Sequence, residues 1–468
     1  MRTNNNMLLL LSGLIFSACS TLDFKEQLAE VNRATRSVSA DGVRLHSAAP
    51  DAAAGQQSLD QLLHKPLDKE AAVVLALAHS PEVQAMLATA WADMARAAQS
   101  GRIANPVFGF ERLLNLHVLD LGRMLSLGLF DLLSLPQRQQ GASAQIEVAR
   151  HQLALAIVDK VNAVRQAWIN AVAAKQSLHF AKQIQVSAEA SAELAKRMQQ
   201  VGNFSKLQRA RQQAYYADAT TELAQAEYLA ISTREQLIRL LGMNAAQSGQ
   251  LQLPERLPDL PVTIKSPQTV SASASSERLD NQLSAAVLKA ALSDQGLGMW
   301  STLTDIELAA IRNTEFAEAG KTRSRGVDIS VRLPLFDSGD LARQALKAKA
   351  LAALHQHEAT QRAAASHLRE AYSAYRTAHD IARHYRDEVL PLRKLISEEN
   401  VLRYNGMLIG VFELLADSRV QIASIQAAIK AEQQFWLADS ALAASILGRP
   451  GISLVGMSKS NDTKEGGH

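Results

Sequence analysis

The 468-residue chain has few residues that interrupt helices. Its 23 glycines and 12 prolines make up about 7% of the sequence, whereas these two residues together usually account for roughly 12%. Aromatic residues are also scarce, at 5%, although hydrophobic residues as a class reach 47%. This composition favours long helices over a doubly wound α/β sheet.

Strong charge and cysteine chemistry are missing as well. The formal net charge is +3 and no block of lysine and arginine stands out, so a nucleic-acid partner is not expected. The single cysteine, Cys19, excludes an intramolecular disulfide and a cysteine-based zinc site. The motifs GxxxxGK, GxSxG and HExxH do not occur, so neither an enzyme nor a bound cofactor is predicted.

The single cysteine closes a short apolar segment. Arg2 precedes an apolar run over residues 7–16, which is shorter than the ~20 residues that span a bilayer. A basic residue, an apolar run and small residues are typical of a secretory signal. Because the segment ends on Cys19, it resembles a bacterial lipoprotein signal, in which residues 1–18 are removed and Cys19 carries a covalent lipid. Ser20, where such signals have Asp for inner-membrane retention, points to the outer membrane. An ordinary signal peptide with an incidental cysteine is the alternative.

Weak internal similarity predicts two copies of one unit. Three short segments recur in the same order about 205 residues later: Arg165–Trp168 with Arg369–Tyr372, Val201–Asn203 with Asn405–Met407, and Leu240–Gly242 with Ile446–Gly448. We therefore expect repeats at 70–242 and 277–448, joined by a linker at 243–276. A polar tether at 19–69 precedes them, and a flexible tail at 449–468 follows.

Each repeat is predicted to contain one helix and then a hairpin of two long helices, at 137–242 and 338–448. Residues 142–201 lack glycine and proline, which corresponds to about 90 Å of helix. An apolar stripe follows this segment at helical spacing: Ile146, Leu153, Ile157, Val161, Val164, Trp168 and Val172. A heptad series marks the last segment: Leu415, Ile422, Ile429, Trp436 and Ala443. The first helices are expected at 71–100 and 276–295.

A β-hairpin is predicted before each helical hairpin, at 105–136 and 305–336. The first has strands at 107–113 and 124–130 around a polar break at 117–122, and the second has a loop at 318–326. From Val327 to Leu333 apolar and polar residues alternate, as in strands of outer-membrane barrels. A soluble hairpin is the alternative. Four strands cannot close a membrane barrel, so several chains would share one.

This order of segments resembles the TolC-type outer-membrane efflux family, over about 70–448. The residues that carry the resemblance are Ser80–Val83, Asn105–Pro106, Arg197–Ser205, Leu240–Gly242, Leu333–Gly339 and Arg403–Gly406. The resemblance implies a mainly α homotrimer. Long helical hairpins form an α-barrel, and four strands per chain contribute to a shared twelve-stranded β-barrel. The molecule would be lipid-anchored in the outer membrane with a large periplasmic extension.

The resemblance also implies a function. The chain would be the passive exit duct of a tripartite efflux or export system, docked onto a periplasmic adaptor and an inner-membrane pump. A periplasmic coiled-coil scaffold lipoprotein without a pore is the alternative, and the strand hairpins distinguish the two because a scaffold does not need them. The nature of the cargo stays open.

Two sets of site residues follow from the resemblance. The adaptor-docking turns map onto Val201, Gly202, Asn203 and Ser205, and onto Gly406, Met407 and Leu408. The periplasmic gate maps onto Glu413 and Asp417, which share a helix face and form a ring of acids in a trimer. The alternative is that both acids are solvated surface residues.

A histidine-rich segment is the last feature. His355, His357, His367, His379 and His384 lie on one predicted helix. No two of them are three or four residues apart, the spacing that would put both on one helix face as metal ligands. We therefore predict no metal site there.

Overall fold

The computed structural model describes residues 22–39, 41–46, 65–115, 118–301, 306–317, 320–333 and 335–450. Cys19, the predicted signal at 1–18 and most of the predicted tail lie outside these residues. The helices and strands of the described chain, in order, are α1 Phe24–Ala34, α2 Lys69–His79, α3 Pro81–Ser100, β1 Val107–Asn115, β2 Val118–Gly128, α4 Leu129–Leu133, α5 Leu135–Gln200, α6 Lys206–Leu241, α7 Ala245–Ser248, α8 Pro267–Glu277, α9 Leu279–Ser301, β3 Ile306–Ala317, β4 Gly320–Val331, α10 Asp340–His384, α11 Leu390–Asn405 and α12 Val411–Ile446.

The long helix α5 carries the predicted apolar stripe. Six of its seven residues, all except Ile146, are buried. Trp168 is among the largest enclosed side chains, and its indole N–H donates to the Leu67 carbonyl oxygen at 2.8 Å. That hydrogen bond satisfies the only polar group of a buried tryptophan. The stripe is therefore confirmed.

The helical segment that begins the second helical hairpin, α10 and α11, is interrupted at one point. Between α10 and α11, residues Tyr385–Val389 form a π-helical turn. Pro391 follows two residues later, and its ring would clash with the carbonyl of Asp387 in a regular helix. The wider π-helical turn accommodates the proline, so the helical path continues where a break was possible.

The core of the second helical hairpin differs from the predicted heptad by one residue. On α12 the buried series is Ala428, Ala431, Phe435, Ala438 and Leu442, which steps by three and four as a packed helix seam does. Of the five predicted heptad positions only Ile429 is buried. Trp436 lies at the margin of the core and donates its indole N–H to the Pro258 carbonyl at 3.0 Å. Small alanines on the true seam allow closer packing than the large residues beside it.

Several helix boundaries differ from the predictions. The predicted helix at 71–100 is two helices, α2 and α3, bent by 54°, because Pro81 begins a helix and holds Ser80 in an extended conformation. The predicted tether contains α1, whose Phe24, Leu28 and Val31 are buried. The predicted linker contains α7 and α8.

All four strands belong to one antiparallel sheet in the order β1-β2-β3-β4. The predicted hairpins are misplaced at their ends: β2 begins at Val118 and stops at Gly128, and residues 129–133 are helical. The predicted loop at 318–326 is largely strand, because β4 pairs with β3 from Gly320 onward. Polar residues occupy both faces of β4 there, so its sequence lacks the alternation that marks a strand.

Two compact units can be distinguished. One contains the sheet with residues 88–153, 281–360 and α1 as far as Val31; in it the rings of Phe24 and Trp91 stack at 5.6 Å. The other contains residues 32–87, 154–280 and 361 onward. Its core surrounds Phe435, whose ring lies 5.5 Å from that of Tyr375.

No single helix of the described chain is both long enough and apolar enough to cross a membrane. Taken together, the bent pair α2 and α3 is long and apolar enough.

Candidate functional site

The two helical turns share one backbone design. In the first, the Asn203 N–H donates to the Met198 carbonyl at 2.9 Å; in the second, the Leu408 N–H donates to the Arg403 carbonyl at 2.9 Å. Each of these is the six-to-one hydrogen bond of a Schellman motif, and in that motif the residue just before the N–H donor adopts the left-handed conformation. Gly202 has φ 79° and Met407 has φ 60°.

Met407, and not Gly406, is therefore the equivalent of Gly202. Gly406 has an ordinary φ of −78°, so the sequence pairing of the two glycines is displaced by one residue. Glycine adopts the left-handed conformation freely, whereas a side chain at such a position costs roughly 1–2 kcal/mol. The second turn holds Met407 in a strained conformation, and its side chain is 93% exposed.

Ser205 has a local structural role. Its hydroxyl accepts from the Gln208 N–H at 3.1 Å, and the Gln208 side chain accepts from the Ser205 N–H at 2.9 Å. This capping box begins α6. Gly410 occupies the corresponding position before α12 and has no side chain to offer.

The two turns lie against each other. Phe204 in the first turn stacks on Phe412 at the start of α12, with ring centroids 4.2 Å apart. Around this pair four large apolar side chains are exposed, and we call them the tip surface: Val201, Leu207, Met407 and Leu408. The structure thus brings the two predicted docking turns together, and both carry exposed apolar side chains.

The two predicted gate acids lie one helical turn apart on α12 but in different surroundings. Glu413 is exposed in the first turn of the helix, where a carboxylate is stabilised by the helix N-terminus. Asp417 is half-buried, and its Oδ2 is enclosed without a hydrogen-bond partner among the described residues. Asp417 is therefore partly enclosed by the protein, whereas Glu413 has the solvent-exposed surroundings of an ordinary surface acid.

A third residue near these acids escaped the sequence prediction. The Arg419 guanidinium lies over the Tyr215 ring of α6, 3.6 Å from its centroid, and also contacts the Gln212 side chain. Burial lowers the pKa of Arg419 and raises the pKa of the Tyr215 phenol. No local pattern links residues about 200 positions apart, so the sequence offered no signal for this contact.

The two faces of the sheet carry different residues. One, which we call the apolar face, presents Phe108, Leu125, Leu127, Leu308, Val327, Ile329 and Val331, as the strand register requires. Most of these side chains are exposed; Val327, for example, is 71% exposed. The opposite, acidic face presents Glu111, Asp120, Glu307, Glu315 and Asp328. Within the described chain, β1 and β4 each pair along one side only.

The histidines of α10 make separate contacts. Ser284 Oγ and His357 Nδ1 are 2.8 Å apart, His379 packs on the Phe435 ring, and His384 Nδ1 lies 3.1 Å from Glu388. Across the residues that the structure describes, no three His, Cys, Asp or Glu side chains are grouped as a metal site requires.

The same arrangement of helices and strands occurs in solved membrane proteins. A membrane protein from Pseudomonas aeruginosa matches with a TM-score of 0.67 at 20% identity, over 81% of this chain and 93% of that chain. VceC, an outer membrane protein from Vibrio cholerae, matches with a TM-score of 0.64 at 14% identity, over 84% and 96%. The CmeC outer membrane channel of Campylobacter jejuni matches with a TM-score of 0.63 at 14% identity, over 92% and 87%.

The chain has the TolC-type outer-membrane channel fold. The predicted fold class, mainly helical with four strands, is thereby confirmed. No protein-family model and no curated protein matches the sequence.

Proposed function

We propose that the chain forms a passive channel in the outer membrane, the exit duct of a tripartite efflux or export system. The observation that carries the proposal is the sheet. It has one face with exposed apolar side chains, which also carries basic residues in the half toward the strand-connecting turns, one acidic face, and two edges that no described strand covers. Open strand edges are not tolerated in hydrocarbon, because no water satisfies their N–H and C=O groups. A barrel shared by several copies removes both edges.

The number of copies follows from barrel geometry. Two copies would give eight strands, whose interior is filled by side chains, whereas three give twelve and leave a lumen. We therefore propose a homotrimer, with the apolar face toward lipid and the acidic face toward the lumen. Acids that line a channel attract cations, so the open pore should prefer cations to anions.

The tip surface supports the proposed adaptor. Exposed apolar side chains clustered on a folded protein often mark contact sites. Val201, Met407 and Leu408 are exposed on two turns that pack on each other through Phe204 and Phe412. An adaptor that covers this patch would link the duct to an inner-membrane pump. Asp417 and Glu413, repeated around the threefold axis, would then form the periplasmic constriction.

The lipid on Cys19 is part of the same proposal. It rests on the sequence alone, since Cys19 lies outside the described residues. The Cys19→Ala variant should fail to incorporate labelled fatty acid during expression. Incorporation by that variant would remove the anchor assignment and leave the channel proposal intact.

A planar-bilayer recording of the purified chain tests the channel. Adjacent residues of β4 supply a matched pair: Ile329→Asp places a charge on the apolar face, and Asp328→Asn removes one from the acidic face. The first should abolish oligomer insertion and conductance; the second should keep conductance and reduce cation preference. A wild-type chain with no conductance and no heat-modifiable oligomer on gels would instead support the scaffold without a pore.

A further inference from the structure

Rows of basic side chains cross the apolar face of the sheet. Arg123 on β2 is paired with Arg312 on β3, and Arg312 is paired with Arg325 on β4. The next row toward the strand-connecting turns carries Arg112 and Arg323, and the last carries Lys321. We call these six residues the basic belt. The acidic face carries the acids of the sheet, so the two faces have charges of opposite sign.

The belt is unfavourable in the isolated chain. Like charges placed directly opposite on neighbouring strands destabilise a sheet. All five arginines are exposed, and none has an ion-pair or hydrogen-bond partner among the described residues. Lys321 lies over the Phe316 ring at 4.7 Å. A charge on a lipid-facing surface is costly unless it is paired, so these cations require an anion from outside the chain.

The position of the belt indicates where that anion lies. Helices α4 and α10 follow the ends of β2 and β4 at Gly128 and Val331, whereas the belt lies in the opposite half of the hairpins. Purely apolar rows, such as Phe108, Leu125, Ala310 and Val327, separate it from the helical end. If the helices extend into the periplasm, as proposed above, the belt faces the outer leaflet.

The spacing of the arginines indicates which kind of anion they can bind. Paired residues on adjacent strands are ≈ 4.5–5.5 Å apart, so two neighbouring guanidinium groups can reach one tetrahedral anion. Arginine offers planar, two-pronged donors that match phosphate oxygens. Its long side chain can also lie along apolar surface while the charged group reaches the headgroup level.

We infer that the basic belt binds the phosphate groups of an anionic outer-leaflet lipid, with Arg123, Arg312 and Arg325 as its centre. This inference rests on the proposed channel, because it requires the apolar face to be in contact with lipid. Lipid phosphates would relieve the repulsion between the paired arginines and hold each hairpin at a fixed depth. The belt is thus a lipid site on the outside of the barrel, separate from the conduction path.

Native mass spectrometry of the full-length oligomer in a neutral maltoside detergent tests the inference. Phosphatidylglycerol should be retained in preference to phosphatidylcholine, and should raise the dissociation temperature of the oligomer. Replacing Arg123, Arg312 and Arg325 by Gln should weaken retention by at least roughly tenfold, since charge-assisted hydrogen bonds are lost. The corresponding Lys variant should retain part of the preference. Removal of three exposed cations elsewhere, as Arg96→Gln, Arg256→Gln and Lys394→Gln, should leave it unchanged.

Two outcomes would overturn the inference, and both differ from failure of the channel. Inorganic phosphate that stabilises the oligomer as much as the lipid does would mean a site for free anions. Equal retention of both lipids, with the Gln variant changing ion selectivity in bilayers, would mean that the arginines line the lumen. In either case the wild-type oligomer would still conduct, whereas failure of the proposed function would remove conductance itself.

Discussion

The guanidinium of Arg419 covers the ring of Tyr215, 3.6 Å from its centroid, and joins α12 to α6 close to the helical turns. Three residues further along α12, Ile422 packs on a small core of Ile184, Ala188 and Ala219. The arginine is part-buried and its pKa is lowered by that burial, but it stays protonated near neutral pH. This contact is therefore a cation–π interaction that holds together two helices of the proposed periplasmic end.

Replacing Arg419 by Ala should loosen that end of the channel. A part-buried cation–π contact is worth about 0.5–2 kcal/mol, so the variant should open more often in bilayer recordings. Tyr215→Phe keeps the ring and should behave as wild type, whereas Tyr215→Leu should behave as Arg419→Ala does. A double-mutant cycle checks the coupling: if the effects of Arg419→Ala and Tyr215→Leu simply add, the two residues do not act together.

The glycines of the two turns should respond differently to replacement by alanine. Gly202 has φ 79°, so Gly202→Ala should destabilise its turn by roughly 1–2 kcal/mol. Gly406 has a negative φ, and an added Cβ would meet its nearest atom at an ordinary 3.5 Å; Gly406→Ala should be neutral or slightly stabilising. Thermal unfolding of the two variants in detergent is the measurement, and equal effects would contradict the displaced pairing.

Substituting Met407 can distinguish an effect on the stability of the turn from an effect on adaptor docking. Met407→Gly removes a side chain from a left-handed position, and should stabilise the turn by up to about 1 kcal/mol after the entropy cost of glycine. The same change removes the most exposed apolar group of the tip surface. Crosslinking to a co-expressed adaptor should therefore fall while the unfolding temperature holds or rises. Loss of both together would mean that Met407 is structural.

The features visible in the sequence were those with a strong period or a breaker. The stripe from Leu153 to Val172 has helical spacing and became the buried side of α5. Val327, Ile329 and Val331 alternate with polar residues and became strand β4. In both cases one side of the element faces a single environment, so its apolar residues recur at the spacing of that helix or strand.

The features that the sequence concealed depend on distant partners. The N-terminal half of β4 is polar on both faces, so only its pairing with β3 identifies it as a strand. Gly406 looks like the counterpart of Gly202, yet hydrogen bonding gives the left-handed position to Met407. The row of Arg123, Arg312 and Arg325 joins β2 to the β3–β4 hairpin, which lies far from it in the chain, so the row can be recognised only once the register is known.

The two acids of α12 should differ in their effect on the pore. Glu413→Gln removes an exposed charge that favours the helix N-terminus, so it should cost about 0.3–1 kcal/mol of helix stability and raise conductance less than Asp417→Asn does. Asp417→Asn removes the enclosed carboxylate, and should raise conductance and weaken block by divalent cations. Current recordings with and without millimolar Mg²⁺ compare the variants. If Asp417→Asn behaved like wild type, the two acids would be ordinary surface residues and not part of a gate.

Glu432 on α12 gives the chain a defined pH dependence. Burial, with Asp259 nearby, raises the pKa of this carboxyl above its usual 4.5, although Arg256 and Arg386 oppose the shift. Between pH 4.5 and the raised value the folded chain binds more protons than the unfolded chain, so stability falls as the pH rises through that window. Glu432→Gln should therefore raise the unfolding temperature at pH 7 and have little effect at pH 4. Glu398→Gln, at an exposed acid paired with Lys394 on α11, is the matched control and should show no such pH-dependent gain. A Glu432→Gln variant that is less stable than wild type at pH 7 would mean that the ionised carboxylate is held by favourable contacts and not penalised by burial.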